Sequence, residues 1–128
     1  MTDPIWVRRD VILSFHELLL AQHGGLPGLR DEGMFDSAIG RPENLLNYGN
    51  PSVFDLAASY AFGLVKNHPF LDGNKRIGFA TAVLFLELNL IHFHAAEADA
   101  VLRTLALAAG EMSEAEFAAW LQANSGLA

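Results

Sequence analysis

The segment from His68 to Arg76 gathers several side chains that could do chemistry within nine residues. His68 offers an imidazole, whose ordinary pKa of about 6.5 lets it accept a proton from a hydroxyl at neutral pH. Asp72 offers a carboxylate, the kind of hard oxygen ligand of which magnesium takes one or two when it bridges phosphates. A base beside a metal ligand suits nucleotide-dependent transfer to a hydroxyl group.

The second half of this segment has the features of an anion site. The start of a helix leaves backbone N–H groups without partners and carries the positive end of the helix dipole, so an anion is favoured there. Lys75 and Arg76 oppose that dipole unless something negative lies nearby. Gly73 lets the backbone approach a ligand closely, and Arg76 can bind phosphate oxygens through two N–H groups. We therefore predict a phosphate-binding cradle at Gly73, Lys75 and Arg76.

Two helices are predicted to position this segment. The first begins at Ser52 with a pattern that resembles a capping box, and its apolar residues follow one helical face to about Asn67. It should end there because Pro69 disfavours the α conformation at His68. The second is predicted from Asn74 to Leu88 and is apolar all round in its middle, so we expect it to be the buried central helix.

The rest of the chain is predicted to form shorter elements. Apolar spacing and turn residues place helices at Arg8 to Gln22, in a stretch ending at Pro42, at Glu97 to Ala109 and at Glu114 to Asn124, with an extended piece at Asn89 to His94. In the first helix the core-facing stripe is expected at Val11, Phe15, Leu18 and Leu19. The predicted fold class is all-α, a single domain over residues 1–128 with about six helices around a buried central helix.

Composition limits the classes of partner. A formal charge of -7 with only eight Lys and Arg opposes binding to nucleic acid, which depends on cations that neutralise phosphates. No apolar run approaches the roughly 20 residues that a membrane-spanning helix needs, and the N-terminus has no signal-peptide pattern. The chain contains no cysteine. We expect a cytoplasmic protein that binds neither membrane nor nucleic acid.

The run from His68 to Arg76 resembles the signature of the Fic/Doc family, H-x-F-x-[DE]-[AG]-N-[GK]-R, and fills each specified position. The segments Gly24 to Gly28 and Ile39 to Arg41 also resemble parts of Doc-like toxins, in the same order. The resemblance implies a Fic fold that acts on ATP with Mg²⁺. By this resemblance, His68 is the catalytic base, Phe70 anchors the loop and Asp72 is the magnesium ligand. The nest that binds ATP is formed by Gly73, Asn74, Lys75 and Arg76.

Lys75 bears on which reaction the resemblance implies. Fic enzymes with glycine at this position transfer AMP, whereas Doc-like toxins carry lysine and transfer the γ-phosphate to a Ser/Thr hydroxyl. Lys75 therefore favours a Doc-type protein kinase. Pro69 and Gly73 are closer to the Fic version of the motif, so AMP transfer stays an alternative. A non-catalytic module that binds a partner helix is a remote third.

The resemblance also implies partners. By this resemblance, the protein would be the toxin of a type II toxin-antitoxin system. Its target would be elongation factor Tu, modified on a threonine so that translation halts. The chain has no S/T-x-x-x-E-[GN] motif, which many Fic proteins carry on a self-inhibitory helix. Its absence fits inhibition by a separate Phd-like antitoxin, which would bind a groove of this protein with an amphipathic segment. The loop from Pro42 to Pro51 is interpreted as the flap that positions the target.

Several polar residues also have purely structural interpretations. Asp72 and Asn74 could simply cap the following helix, a common role for these residue types at a helix start. His92 and His94 alternate in sequence but lack a third metal ligand, so a surface position is favoured over a metal site. His16 is assigned no function.

Overall fold

A computed structural model describes residues 3–127 of the chain, and over this range it confirms the all-α prediction with six helices. Two strands of three residues each pair antiparallel, with Ile91 opposite Leu127. None of the helices in this range has the length and apolarity that crossing a membrane requires. In chain order the elements are α1 (Arg9–His23), α2 (Glu32–Tyr48), α3 (Val53–Asn67), α4 (Asn74–Leu88), β1 (Ile91–Phe93), α5 (Glu97–Ala109), α6 (Glu114–Ala123) and β2 (Ser125–Leu127).

Helices α3 and α4 form an antiparallel pair whose facing ends were predicted correctly at Asn67 and Asn74. The two backbones approach closely at Gly78, where a Cβ atom would lie 2.9 Å from the Val65 side chain and 3.2 Å from the Ala61 carbonyl oxygen. The most enclosed helix is α3 and not α4, because small residues let neighbours pack on all its sides while one face of α4 lines a cavity. Between Leu56 and Val65 every residue of α3 except Phe62 is buried.

Helix α2 is longer than predicted, because it continues through Pro42 to Tyr48. A proline inside a helix leaves the carbonyl four residues earlier without its usual donor. Here that carbonyl, on Ala38, packs against Gly63 of α3, where a Cβ atom would lie only 3.0 Å from its oxygen. Close packing on α3 thus supports the helix across its proline.

The predicted stripe of α1 is confirmed only in part, since Phe15 and Leu19 pack against the core while its other two members do not. Ile12 and His16 face the core, whereas Val11 and Leu18 are exposed. The predicted stripe did not include His16, but the His16 ring stacks on buried Phe70 with centroids 3.7 Å apart. This stacking therefore turns the face of α1 that carries His16 toward the loop that precedes α4.

Candidate active site

The loop between α3 and α4 begins at His68, the residue that ends α3. The helix ends before His68, as predicted from Pro69, but His68 takes a left-handed conformation, with φ 52° and ψ 53°, and not the extended one that is usual before proline. Arg30 stabilises this end of the helix, since its guanidinium donates to the carbonyls of His68 at 2.8 Å and Asn67 at 3.0 Å. The backbone of His68 is therefore held while its exposed imidazole lines a cavity.

Phe70 and Asn74 close the loop on itself. The Phe70 N–H donates to Asn74 Oδ1 at 2.9 Å, and Asn74 Nδ2 donates back to the Phe70 carbonyl at 3.0 Å. Both residues are buried, with 1% and 4% of their surface exposed. The prediction placed Asn74 among the ATP-binding residues; since its amide is bonded to the loop, only its backbone N–H could serve an anion.

A second segment, residues 24–30, runs alongside this loop. The carboxylate of Asp72 accepts the Leu26 N–H at 2.7 Å, and the Leu71 N–H donates to the Gly28 carbonyl at 3.1 Å. Leu29 also forms an antiparallel bridge with Phe70. Residues 24–30 therefore hold the backbone of the signature loop in position from the side that faces away from the core.

The segment interpreted as the flap, Pro42 to Pro51, is helical as far as Tyr48 and lies far from the signature loop. The loop after α2, at residues 49–52, precedes the N-terminus of α3, whereas His68 follows its C-terminus. The 15 residues of α3 separate these ends by about 22 Å, given a rise of about 1.5 Å per residue. The segment that lies against the signature loop is residues 24–30.

The first turn of α4 presents the features expected of an anion site. Gly73 is left-handed, with φ 79°, and the following residues are helical, a combination that directs successive N–H groups toward one concave point. The first turn contains no acidic residue, and Lys75 and Arg76 are both exposed. Neither cation takes part in the ion pairs found over residues 3–127. Within the described residues both side chains are therefore available to an anion.

These groups meet at one cavity of about 920 Å³, within the size range of small-molecule sites. Its polar end is formed by His68, Asp72 and the first turn of α4, as the sequence predicted. Phe70 lies beneath this end and not on its surface. The rest of the lining, here called the apolar end, comes mainly from α1, α4 and α5 and also includes Glu87, His94 and Glu97. Its larger apolar side chains are Phe15, Leu19, Phe79, Val83, Leu84, Val101 and Leu105.

The donor chemistry at Asp72 fits magnesium that is shared with phosphates. One carboxylate oxygen accepts the Leu26 N–H, and the side chain is exposed to the cavity. Residues 3–127 contain no group of three His, Asp or Glu side chains arranged as metal ligands. Magnesium bound to a nucleotide needs only one or two carboxylates, so a single aspartate at this position is sufficient.

His92 and His94 do not form such a site. His92 is exposed, with Nδ1 3.3 Å from the Glu87 carboxylate, and its ring is parallel to that of His94 at 6.4 Å. The favoured surface interpretation agrees with this geometry.

Besides Arg30, sequence reasoning missed His16 at this site. Its Nε2 lies 2.8 Å from the Asp72 carbonyl oxygen, and only 2% of its surface is exposed. The available signal was its position four residues after the buried Ile12, which places both on one helical face.

Residues 6–86 match the model of the Fic/DOC family, and this range includes the whole signature loop. This chain belongs to the Fic/Doc family. The protein named "Protein kinase doc" from Escherichia phage P1 is 31% identical to this Fic/Doc chain over 105 residues, which cover 81% of this chain and 82% of the phage protein. "Toxin Doc" from Mycolicibacterium smegmatis is 41% identical over 69 residues, which cover 52% of this chain and 52% of that protein.

Gly25 gives a test of how residues 24–30 support Asp72. Its φ is 121°, and a Cβ atom there would lie 2.9 Å from the Leu20 side chain and 3.1 Å from Asp72 Cβ. Gly28 has a similar φ of 102°, but its Cβ would meet nothing within 4 Å. Both alanine variants are strained at the backbone. Because only the Cβ at position 25 is also overpacked, we expect Gly25→Ala to lower the free energy of unfolding by ~1–3 kcal/mol more than Gly28→Ala does.

Urea denaturation of both variants and the parent measures this difference in the free energy of unfolding. Equal losses for the two variants would mean that the close packing of Leu20 and Asp72 around Gly25 adds no cost to the alanine substitution.

Proposed function

We propose that this chain is a Doc-type protein kinase that transfers the γ-phosphate of ATP to a Ser or Thr hydroxyl of a target protein. The observation that carries the proposal is the convergence of His68, Asp72 and the first turn of α4 on one cavity. A base, a metal ligand and an anion site within one loop supply the parts that phosphoryl transfer requires. The name of the phage P1 relative, which the alignment covers over 82% of its length, supports the same reaction.

His68 would act as the general base. Its imidazole is exposed to the cavity, and its backbone is held by Arg30 and by the buried residue Phe70 two positions later. A neutral imidazole there would accept the proton of the target hydroxyl as that oxygen attacks phosphorus. Phe70 anchors the loop, so the position of the base depends on core packing.

The first turn of α4 would hold the phosphates. The N–H groups of Gly73, Asn74 and Lys75 lie at the positive end of the helix dipole, and the exposed Arg76 adds a guanidinium that can bind two oxygens at once. Asp72 would hold Mg²⁺ together with the phosphates. When bound, the metal supplies positive charge that offsets the charge on the phosphate oxygens.

Lys75 supports γ-phosphate transfer over AMP transfer, because the resemblance ties lysine at this position to the Doc-type reaction. The exposed side chain adds a charge at the mouth of the cradle, where a phosphate group would have to lie. AMP transfer is kept as the second candidate because Pro69 and Gly73 match the AMP-transferring form of the signature.

For the target, we propose elongation factor Tu, modified on a threonine, with arrest of translation as the toxic effect. Residues 24–30 would serve as the flap. Their inner edge is bonded to the signature loop, while residues 24–28 are exposed on the outside. An extended target segment could lie along this strand-like piece and bring its hydroxyl to His68.

The reaction is tested by incubating the protein with purified elongation factor Tu, Mg²⁺ and ATP labelled at either the α or the γ phosphate. We expect label from the γ position only, and a loss of at least about 100-fold in rate for His68→Ala because the base is removed. His92→Ala is the matched control, since His92 is exposed and outside the cavity.

Label from the α position would establish AMP transfer instead. Undiminished transfer by a folded His68→Ala protein would exclude His68 as the base.

We further propose that the toxin is held inactive by a Phd-like antitoxin that binds the apolar end of the cavity. Phe79 and Val83 of α4 face Val101 and Leu105 of α5 across this end. Val101, Leu102 and Leu105 remain 45–64% exposed, an apolar stripe that continues the cavity wall onto the surface. One apolar face of an amphipathic helix would cover it.

Val101→Glu tests the antitoxin site. A charge in the apolar groove should weaken binding of a Phd-type antitoxin by at least about tenfold, because the carboxylate would lose water on complex formation. Leu45→Glu on α2 is the control, since Leu45 is exposed and does not line the cavity. Calorimetric titration measures both affinities, and equal affinities would place the antitoxin elsewhere.

A further inference from the structure

His16 contacts the signature loop through two different groups. Its ring stacks on Phe70 with an interplanar angle of 16°, and its Nε2 is bonded to the Asp72 carbonyl oxygen. The same nitrogen would lie 3.4 Å from a Cβ atom on Gly73, so the ring edge rests against the peptide that joins Asp72 to Gly73. Stacking needs only an aromatic ring, but the hydrogen bond needs a donor. A carbonyl oxygen only accepts, so the Nε2 must carry the proton.

This hydrogen bond determines where the Gly73 N–H points. A trans peptide is planar, so its N–H and C=O point in opposite directions. With the Asp72 carbonyl directed at His16, the Gly73 N–H is directed away from α1. Gly73 is left-handed and Asn74 helical, so that N–H belongs with those of Asn74 and Lys75 in the concave anion site.

The opposite orientation of this peptide is sterically accessible. Rotation of the Asp72–Gly73 peptide would turn φ of Gly73 from 79° to a negative value, and glycine accepts both signs. The rotated peptide would place a carbonyl oxygen where the Gly73 N–H now lies. An acceptor in that place would repel a phosphate oxygen and remove one of its donors.

We propose that His16 is a positioning residue that locks the Asp72–Gly73 peptide in the orientation that binds the nucleotide's phosphates. The inference deepens the proposed kinase function and rests on it for the identity of the anion. His16 itself touches no phosphate, because it lies beneath the loop on the core side. It acts on the anion only through the peptide that it holds.

His16→Phe separates the two contacts, since phenylalanine retains the stack on Phe70 and loses the donor. We expect a folded protein in which the Gly73 amide gives a doubled or broadened ¹⁵N–¹H resonance, as the peptide samples both orientations. The affinity for ATP, titrated calorimetrically without target protein, should fall roughly three- to tenfold, the range of one hydrogen bond. His16→Gln, which restores an N–H donor at similar reach, should recover most of the affinity.

His92→Phe is the control for the substitution itself, because His92 is exposed and outside the cavity. A single Gly73 resonance together with parental ATP affinity in folded His16→Phe would overturn the lock. The parent protein offers an independent test, since the ¹⁵N shifts of the neutral His16 ring must show the Nε2–H tautomer. An Nδ1–H tautomer would also overturn the proposal.

These measurements need no target protein. A failure of γ-phosphate transfer to elongation factor Tu would therefore leave the resonance and tautomer results interpretable on their own.

Discussion

The buried amide of Asn74 holds both backbone groups of Phe70, and the position of every other residue at the site depends on this closed turn. The Phe70 ring is fixed in turn between His16 and Phe35, with centroids 3.7 Å and 5.4 Å away. His68 lies two residues before this anchor and Asp72 two residues after it. Both side chains therefore reach the cavity from a backbone that the core holds still, without a long mobile loop.

Two further contacts make the loop rigid at its ends. Arg30 holds the His68 end through the carbonyls that finish α3, and His16 holds the Asp72 end through a carbonyl that precedes α4. We expect little rearrangement of the first turn of α4 when an anion binds, because its N–H groups already point toward one concave point. In this chain the exposed side chains of His68 and Asp72 extend from a loop that the buried residues Phe70, Asn74 and His16 hold from the core side.

The sequence predicted those parts of the fold that local chemistry determines. Pro69 and the capping pattern at Ser52 defined α3, and the signature loop was located at the correct helix junction. It did not predict that α2 continues through Pro42, because support for that turn comes from packing against Gly63, a contact remote in sequence. Sequence reasoning also missed Arg30, for which there was no signal, and His16, for which the only signal was its helical spacing from Ile12, because both bind backbone carbonyls of a loop that is remote in sequence.

The most direct test of the account is an NMR titration of the ¹⁵N-labelled protein with Mg²⁺ and a non-hydrolysable ATP analogue. We expect the largest amide shifts at Gly73, Asn74, Lys75 and Arg76, with the Phe70 amide nearly unchanged because its hydrogen bond to Asn74 already exists in the free protein. Shifts centred away from the first turn of α4, or a loss of the Phe70 hydrogen bond on binding, would contradict a preformed phosphate site at this loop.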